Sequence, residues 1–514
     1  MRLERSKNAF RNVGFGLLEK IVTIILPFAV RTILIKTLGA EYLGLNSLFT
    51  SILTVLNMTE LGFSSAIVFS MYKPIAEDDV ETIDALLNFY KTIYRVIGIL
   101  IFIVGLILIP FLPNLINGSY PTDINLISVY LIYLINTSIS YILFAYLGAL
   151  ITAHQRDDAI SRVNIIISII MYLSQIGILI TVRNYYVYII TMPLFTIVNN
   201  IRTALVAKKL FPQYRPIGKL NKSIKKDIKE KINGLMIQKI CVVSRNAFDS
   251  IFISMFLGLT ETAMYNNYYY ILNAITAIMT VFTASITAGA GNSVAMESKE
   301  KNFEDFKKLD FLYMWIGGWF SCCLLGLFQP FMKLWVGDSL MLPIGCVVLM
   351  CVYFYALKTG DVRSIYSTAN GLWWKNRYRS IAEAVSNILL NYFLGRYWGV
   401  YGIILATVLT IIFINFMYGG QLIFKFYFTE QSKLEYFGAH ALYFGTTIVV
   451  AAITFLLCGL FPDGIVWFGI KVAICAVVPN LLYLFVYRKT TIYKLAMPWI
   501  VQRMPKKIGK LIKI

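Results

Sequence analysis

The chain has 514 residues, of which 58% are hydrophobic and 14% charged, far below the roughly 25% charged residues of a soluble globular protein. That composition excludes a soluble enzyme or binding module and points to an all-α polytopic membrane protein. A net charge of +20 would suggest nucleic acid in a soluble protein, but here the basic residues fall in short segments between apolar stretches. Membrane topology explains them, no nucleic-acid module is visible, and no nucleic-acid partner is expected.

Apolar stretches of about 20 residues, enough to span a bilayer, recur throughout. About 14 spans are predicted, near 12–38, 42–72, 84–112, 125–152, 161–182, 185–207, 232–257, 260–290, 308–334, 343–369, 379–395, 399–425, 436–460 and 465–487. The basic N-terminus MRLERSKNAF leads into a long first span without a small-residue cleavage pattern, so it reads as a retained span. The loop after span 6 is the strongest boundary. It divides the chain into a six-span lobe (1–209), a basic linker (210–231), a second six-span lobe (232–427) and two further spans with a basic tail (428–514). At an offset of 220 residues Asn46 falls on Asn266, Glu77 on Glu297, Gly98 on Gly318 and Pro110-Phe111 on Pro330-Phe331. Span and loop lengths stay in step over that stretch, which points to an internal repeat.

With the N-terminus on the cytoplasmic side, an even span number returns the C-terminus there. Lys208 to Lys231 then becomes an inner loop with nine basic residues, whereas the outer segments 113–123 and 461–464 have none. This asymmetry sets the expected orientation, with both termini cytoplasmic. The basic loops are also suited to anionic membrane lipids. All seven cysteines lie in apolar segments without metal-site or disulfide spacing, and His154 and His440 are far apart, so no metal site is expected.

Polar groups inside the spans carry the functional signal, because a charge at mid-bilayer costs roughly 2.5–3.5 kcal/mol on insertion scales. Arg245 and Asp249 lie four residues apart in span 7, on one helical face with Gln238. Lys358 and Asp361 are three apart in span 10, with Arg363 beyond. Arg31 in span 1 and Glu60 near the centre of span 2 have no partner within their own helix and call for one elsewhere. Snorkelling is the simpler reading for Lys20, Lys36, Lys239 and Glu383, and a structural ion pair is the alternative for Arg245–Asp249 and Lys358–Asp361. In span 8, Asn266, Tyr270, Asn273, Thr276, Thr280, Thr283 and Thr287 recur at helical steps as one polar stripe. Asn46, Thr50, Asn57, Glu60 and Ser64 form a shorter one in span 2. Such stripes face protein or water. A lining for a wet cavity is one reading and hydrogen-bonding glue between helices the other. Arginines in a cavity match phosphate oxygens. Tyr265, Tyr268, Tyr269 and Tyr270 offer flat faces to sugar rings, although the first two or three read more simply as interfacial anchors.

The stretch RTILIKTLGAEYLGLNSLFTSILTVLNMTELGFSSAI (31–67), followed by YKPIAEDD (72–79), resembles the N-terminal signature of Wzx-type bacterial polysaccharide flippases of the multidrug/oligosaccharidyl-lipid/polysaccharide exporter superfamily. The resemblance is sharp over the first 110 residues or so and extends to the whole chain in length, span number and 6+6+2 arrangement. It implies a MATE-like fold, with two six-helix bundles around a central cavity lined by spans 1, 2, 7 and 8. It implies translocation of undecaprenyl-pyrophosphate-linked oligosaccharide repeat units across the bacterial cytoplasmic membrane, with Arg31 and Arg245 as pyrophosphate contacts. Its other implications are a monomer, with a polysaccharide polymerase and chain-length machinery as candidate partners.

No nucleotide-binding loop, zinc motif or nucleophile elbow is present, so no enzyme and no cofactor is expected; transport would draw on a proton, sodium or substrate gradient, or on a partner. Glu60, Asp249, Lys358 and Asp361 are the candidates for charge pairing or ion coupling, and Asn46, Asn57, Gln238, Asn266, Tyr270, Asn273 and Thr280 for the cavity lining. Two rival functions remain open. A cation-coupled drug exporter prefers an acidic cavity, and a membrane-embedded glycosyltransferase or polymerase needs a larger external loop than this chain has.

Overall fold

The computed structural model describes residues 5–60, 63–372 and 374–503. Among them every regular element is helical, as the absence of hydrogen-bonding solvent in a bilayer demands. Contacts divide the chain into two compact units, Met1–Asn266 and Asn267–Ile514.

In the first unit α1 (Arg5–Thr37) packs on α7 (Asp157–Thr181). The second predicted span is broken. It runs as α2 (Ala40–Leu56), a 3₁₀ turn (Asn57–Glu60) and α3 (Phe63–Ala76). Asp79 caps α4 (Val80–Leu108) by accepting from the Thr82 N–H at 3.0 Å. A 3₁₀ stretch (Ile109–Leu115) with two prolines prolongs it. The fourth span is also broken, into α5 (Leu126–Ile142) and α6 (Tyr146–Ala153) at a bend of 49°. Asn125 and Asn184 cap α5 and α8 (Tyr185–Leu210) in the same way as Asp79.

The next helix, α9 (Lys222–Phe256), packs on α2 and α3. The contact is close because Gly44 of α2 lies against the backbone of Leu259, where any Cβ would collide with the carbonyl group. Asn117 fastens the same corner. Its N–H donates to the Ser254 carbonyl at 2.9 Å and its side-chain amide to that of Phe256 at 2.6 Å. Ser254 Oγ in turn donates to the Leu115 carbonyl at 2.7 Å. The boundary between the units falls within the next helix, α10 (Leu259–Met296).

The second unit is organised on α11 (Lys299–Val336), a 38-residue helix capped by Ser298. It packs against α12 (Ile344–Lys358), α13 (Asp361–Ala369), α16 (Lys433–Gly459), α17 (Ile465–Tyr487) and α18 (Thr491–Arg503). Between α13 and α16 the helical run from Arg377 to Phe426 is too long for one span. It comprises α14 (Arg377–Thr410), a π-helix (Ile411–Tyr418) and α15 (Gly419–Phe426). Gly399, at φ 57° and ψ −138°, interrupts it, a conformation that a side chain would oppose. Two limbs result, near the two spans predicted at 379–395 and 399–425.

Eight helices among the described residues are long and apolar enough to cross a membrane, or nine if the bent α5–α6 pair counts as one span. Two spans in one of these eight, broken second and fourth spans, and the long helices α1, α9 and α10 make this pattern consistent with about 14 crossings.

Two expectations follow. Gly44→Val should push α2 from Leu259 and cost about 1–3 kcal/mol, read as a lower melting midpoint in detergent; an unchanged midpoint would show that the close approach is not kept. At the far end of α11, Asp463 accepts from Lys333 at 3.0 Å and Lys471 at 3.2 Å. These bonds, the first foremost, hold its carboxyl below the usual carboxylate range. The stability they add is present above the unfolded carboxyl pKa of roughly 4 and is lost as pH falls through the lower folded value. Asp463 is about half exposed, so the contribution stays under about 1 kcal/mol. Melts of Asp463→Asn and the parent should differ at neutral pH and converge in strong acid.

Candidate functional site

Helix α9 carries Ser244, Arg245, Asp249, Ser250 and Ser254, all buried. Arg245 and Asp249 are 5% and 3% exposed, one turn apart on one face. The chain reverses at Gly258 and returns along α10, which lays residues 16 positions apart side by side. Tyr265 Oη thus donates to Asp249 Oδ2 at 3.0 Å, and Asn266 Nδ2 donates to Ser250 Oγ at 3.1 Å. Asn266 also donates to the Thr262 carbonyl at 2.8 Å. A buried carboxyl oxygen needs a hydrogen-bond donor, so Tyr265 is part of the site. The interfacial-anchor reading of Tyr265 and Tyr268 is therefore corrected, since both are buried. Tyr268 donates to Gln329 Oε1 at 2.5 Å and accepts the Leu342 N–H at 3.2 Å.

Arg31, half-buried on α1, interacts electrostatically with the Tyr188 phenol of α8. Asn46 accepts from Thr50 Oγ at 3.3 Å on α2, and Asn57 begins the 3₁₀ turn of the broken span. Glu60 closes that turn; its side chain and that of Gln238 lie outside the described residues. On α10, Tyr270 is half-buried, whereas Asn273 and Thr280 are exposed. The threonines of the stripe bond within their own helix: Thr280 to the Thr276 carbonyl at 2.9 Å, Thr283 to Thr280 at 3.0 Å and Thr287 to Thr283 at 2.8 Å. These three donated bonds run along α10 rather than across to another helix.

In the second unit Lys358 Nζ meets Asp361 Oδ2 at 3.0 Å, as the spacing predicts. Lys358 is buried, and Tyr313 of α11 also donates to Asp361, at 2.5 Å. Arg363 donates to the Asn415 carbonyl, to the Phe416 carbonyl at 3.0 Å and to Asn415 Oδ1 at 2.8 Å. Those acceptors lie in the π-helix, whose wider turns leave carbonyls for outside donors. Glu383 does not snorkel. It is buried between Arg379 Nη1 at 2.8 Å and Asn415 Nδ2 at 2.9 Å.

Sequence reading missed a cluster where α7 begins. Asp158 is fully buried beneath Arg11 at 3.0 Å, Arg156 at 2.9 Å and Arg162 at 3.6 Å. The signal was an acidic pair at a helix start beside arginines, but Arg11 is too distant in sequence to be assigned. It also missed Asp310 with His440, 2.9 Å apart. Among the described residues no group of three or more His, Cys, Asp or Glu is placed to hold a metal ion.

The family model described as "Polysaccharide biosynthesis protein" matches residues 9–288, more than half of the chain. The chain belongs to the polysaccharide biosynthesis protein family. Solved structures with the same fold as this family member include the lipid II flippase MurJ in an inward closed conformation, at a TM-score of 0.66 and 16% identity over 92% of this chain and 99% of that one. A multidrug resistance MATE transporter of the MOP superfamily, inward-facing, aligns at 0.62 and 15% over 81% and 98%. The MATE transporter VcmN of Vibrio cholerae aligns at 0.57 and 15% over 84% and 99%. No curated protein matches the chain. The polysaccharide biosynthesis protein is thus a multi-pass membrane protein with the MATE-like fold of MOP-superfamily transporters.

The Lys358–Asp361 pair yields a test that needs no substrate. Removing one member of a buried pair leaves an uncompensated charge, at about 3–5 kcal/mol when fully buried. Asp361 is 29% exposed, so Asp361→Asn should cost less, about 1–3 kcal/mol. Lys358→Met/Asp361→Asn should recover most of it in thermal melts. A double variant no more stable than the single one would remove the pair from the stability argument.

Proposed function

We propose that this protein is a flippase that moves undecaprenyl-pyrophosphate-linked oligosaccharide repeat units across the bacterial cytoplasmic membrane by alternating access, for capsule or exopolysaccharide synthesis. The observation that carries this reading is Arg245: a guanidinium buried at span depth with Asp249 one turn away, in a chain of the polysaccharide biosynthesis family. The fold shared with a lipid II flippase supports a lipid-linked substrate.

In this reading Arg245 and Arg31 contact the pyrophosphate, where the guanidinium fork matches phosphate oxygens. Asp249 neutralises Arg245 between turnovers, and Tyr265 keeps that carboxylate in place through its 3.0 Å bond. The exposed stripe of α10 with Asn273 and Thr280 hydrates the sugar, and the lipid tail stays in the bilayer. Lobes of residues 1–209 and 232–427 rock about the site, with both termini cytoplasmic. A proton or sodium ion drives the cycle through Glu60, Asp249 or the Lys358–Asp361 pair. The protein works as a monomer beside a polymerase and chain-length machinery, without catalysing a reaction itself.

Arg245→Ala should lower repeat units in the outer leaflet roughly tenfold or more, the loss of one charge-assisted contact, and Arg245→Lys should restore part. Arg31→Ala should act in the same direction. Normal polymer at normal protein levels in both alanine variants would sink the assignment. A deletion strain hypersensitive to cationic drugs but normal in polymer would replace it with drug export.

A further inference from the structure

In the second unit, α11, α16 and the α17–α18 turn enclose a cavity of about 150 Å³. By the same measure one water needs about 10–15 Å³, so the space admits a head of several heavy atoms. Asp310 lies in its wall, 4% exposed. Behind it His440 Nε2 comes within 2.9 Å of Asp310 Oδ2, yet neither ring nitrogen of His440 makes an aligned hydrogen bond. The Tyr436 ring also lines the cavity, 4% exposed. Tyr443, Tyr487 and Phe306 complete an aromatic wall. A buried carboxylate and several ring faces together are the surroundings that an ammonium group seeks.

The rim has the opposite sign order. Lys307 and Glu435 stand there 2.8 Å apart, both partly exposed. Leu442, another lining residue two turns further along α16, is 54% exposed. The site lies near a bundle end. Asp310 is the twelfth residue of α11, about 16 Å along the helix axis at 1.5 Å per residue. Glu435 is in the first turn of α16, and Tyr487 ends α17. Carboxylate within, lysine at the rim and leucine outside follow the order of a zwitterionic lipid: terminal ammonium, then phosphate, then apolar chains.

We propose that this cavity binds the headgroup of a phospholipid bearing a primary ammonium, with the ammonium at Asp310 against the ring faces of Tyr436 and Tyr443 and the phosphate at Lys307. A primary ammonium has three donors for the Asp310 carboxylate, and a quaternary one has none. A headgroup with phosphate but no amine would bring an anion towards Asp310 and Glu435.

The test uses the full-length protein, delipidated in detergent, with binding followed by native mass spectrometry and thermal shift. The probes are phosphatidylethanolamine, phosphatidylcholine, phosphatidylglycerol and ethylammonium alone. Phosphatidylethanolamine should bind at least tenfold tighter than phosphatidylglycerol and severalfold tighter than phosphatidylcholine. Asp310→Asn should remove that preference. Lys307→Ala should weaken all three lipids and serves if Asp310→Asn does not fold. Equal binding of the three lipids, a preference untouched by Asp310→Asn, binding unweakened by Lys307→Ala, or protection by ethylammonium equal to that by the lipid would each overturn the proposal.

Discussion

A bilayer interior offers no water to a charge or to a peptide group, so every polar atom placed there must find its partner within the protein. This constraint explains the shared form of the interior polar sites. Asp249 receives Tyr265 from the returning helix. Asp361 receives both Lys358 and Tyr313. Glu383 sits between Arg379 and Asn415, and Asn415 in turn accepts from Arg363. Each carboxylate thus has at least one donor from another part of the chain, which ties helices together as well as satisfying the charge. Threonines on α10 meet the same constraint within their own helix, by donating back to carbonyls one turn earlier.

The same demand explains where the spans break. A break frees peptide groups, and these must be taken up locally. The 3₁₀ turn Asn57–Glu60 that follows α2 keeps a hydrogen-bonded backbone over those four residues. At the π-helix the freed carbonyls of Asn415 and Phe416 are taken by Arg363, a polar neighbour that makes irregular backbone tolerable at that depth. Packing adds to this at Gly44, where the missing side chain lets α2 approach Leu259. Backbone contact of that closeness leaves little room for intermediate positions, so α2 and the α9–α10 corner are either together or apart.

Much of this was legible in the sequence. Lys358–Asp361 follows from a three-residue spacing, and the shared face of Arg245 and Asp249 from a four-residue one. The helical class, the long apolar spans and the turn near Gly399 also follow from composition and length. What escaped notice depends on partners distant along the chain. Arg11 joins Asp158 across 147 positions, and Asp310 meets His440 across a similar gap; no periodicity links such pairs. Tyr265 was misjudged for a related reason. An aromatic near a span end reads as an interfacial anchor until the fold shows that its hydroxyl points to a buried carboxylate. Glu383 fails the snorkelling rule likewise, because Arg379 and Asn415 supply inside the protein what it would otherwise seek at the surface.

Under the proposed function, a carboxylate one turn from the buried Arg245 bears on what a transporter of polyanionic lipid requires. A lone buried guanidinium would bind pyrophosphate tightly and release it slowly, since removing the ligand would restore an uncompensated charge. With Asp249 one turn away, the charge of Arg245 is opposed even when the site is empty. The ligand must then compete with a carboxylate, and that competition weakens binding and eases release. Tyr265 sharpens the exchange: its 3.0 Å bond to Asp249 gives the carboxylate a partner other than the arginine, so in this reading Asp249 can yield Arg245 without being left unsatisfied. Under the proposed function the carboxylate and phenol thus set how firmly Arg245 holds its substrate, and removing either would slow the cycle by a different route. Loss of Asp249 would do so by retaining the substrate, and loss of the Tyr265 hydroxyl by tightening the carboxylate's hold on the arginine.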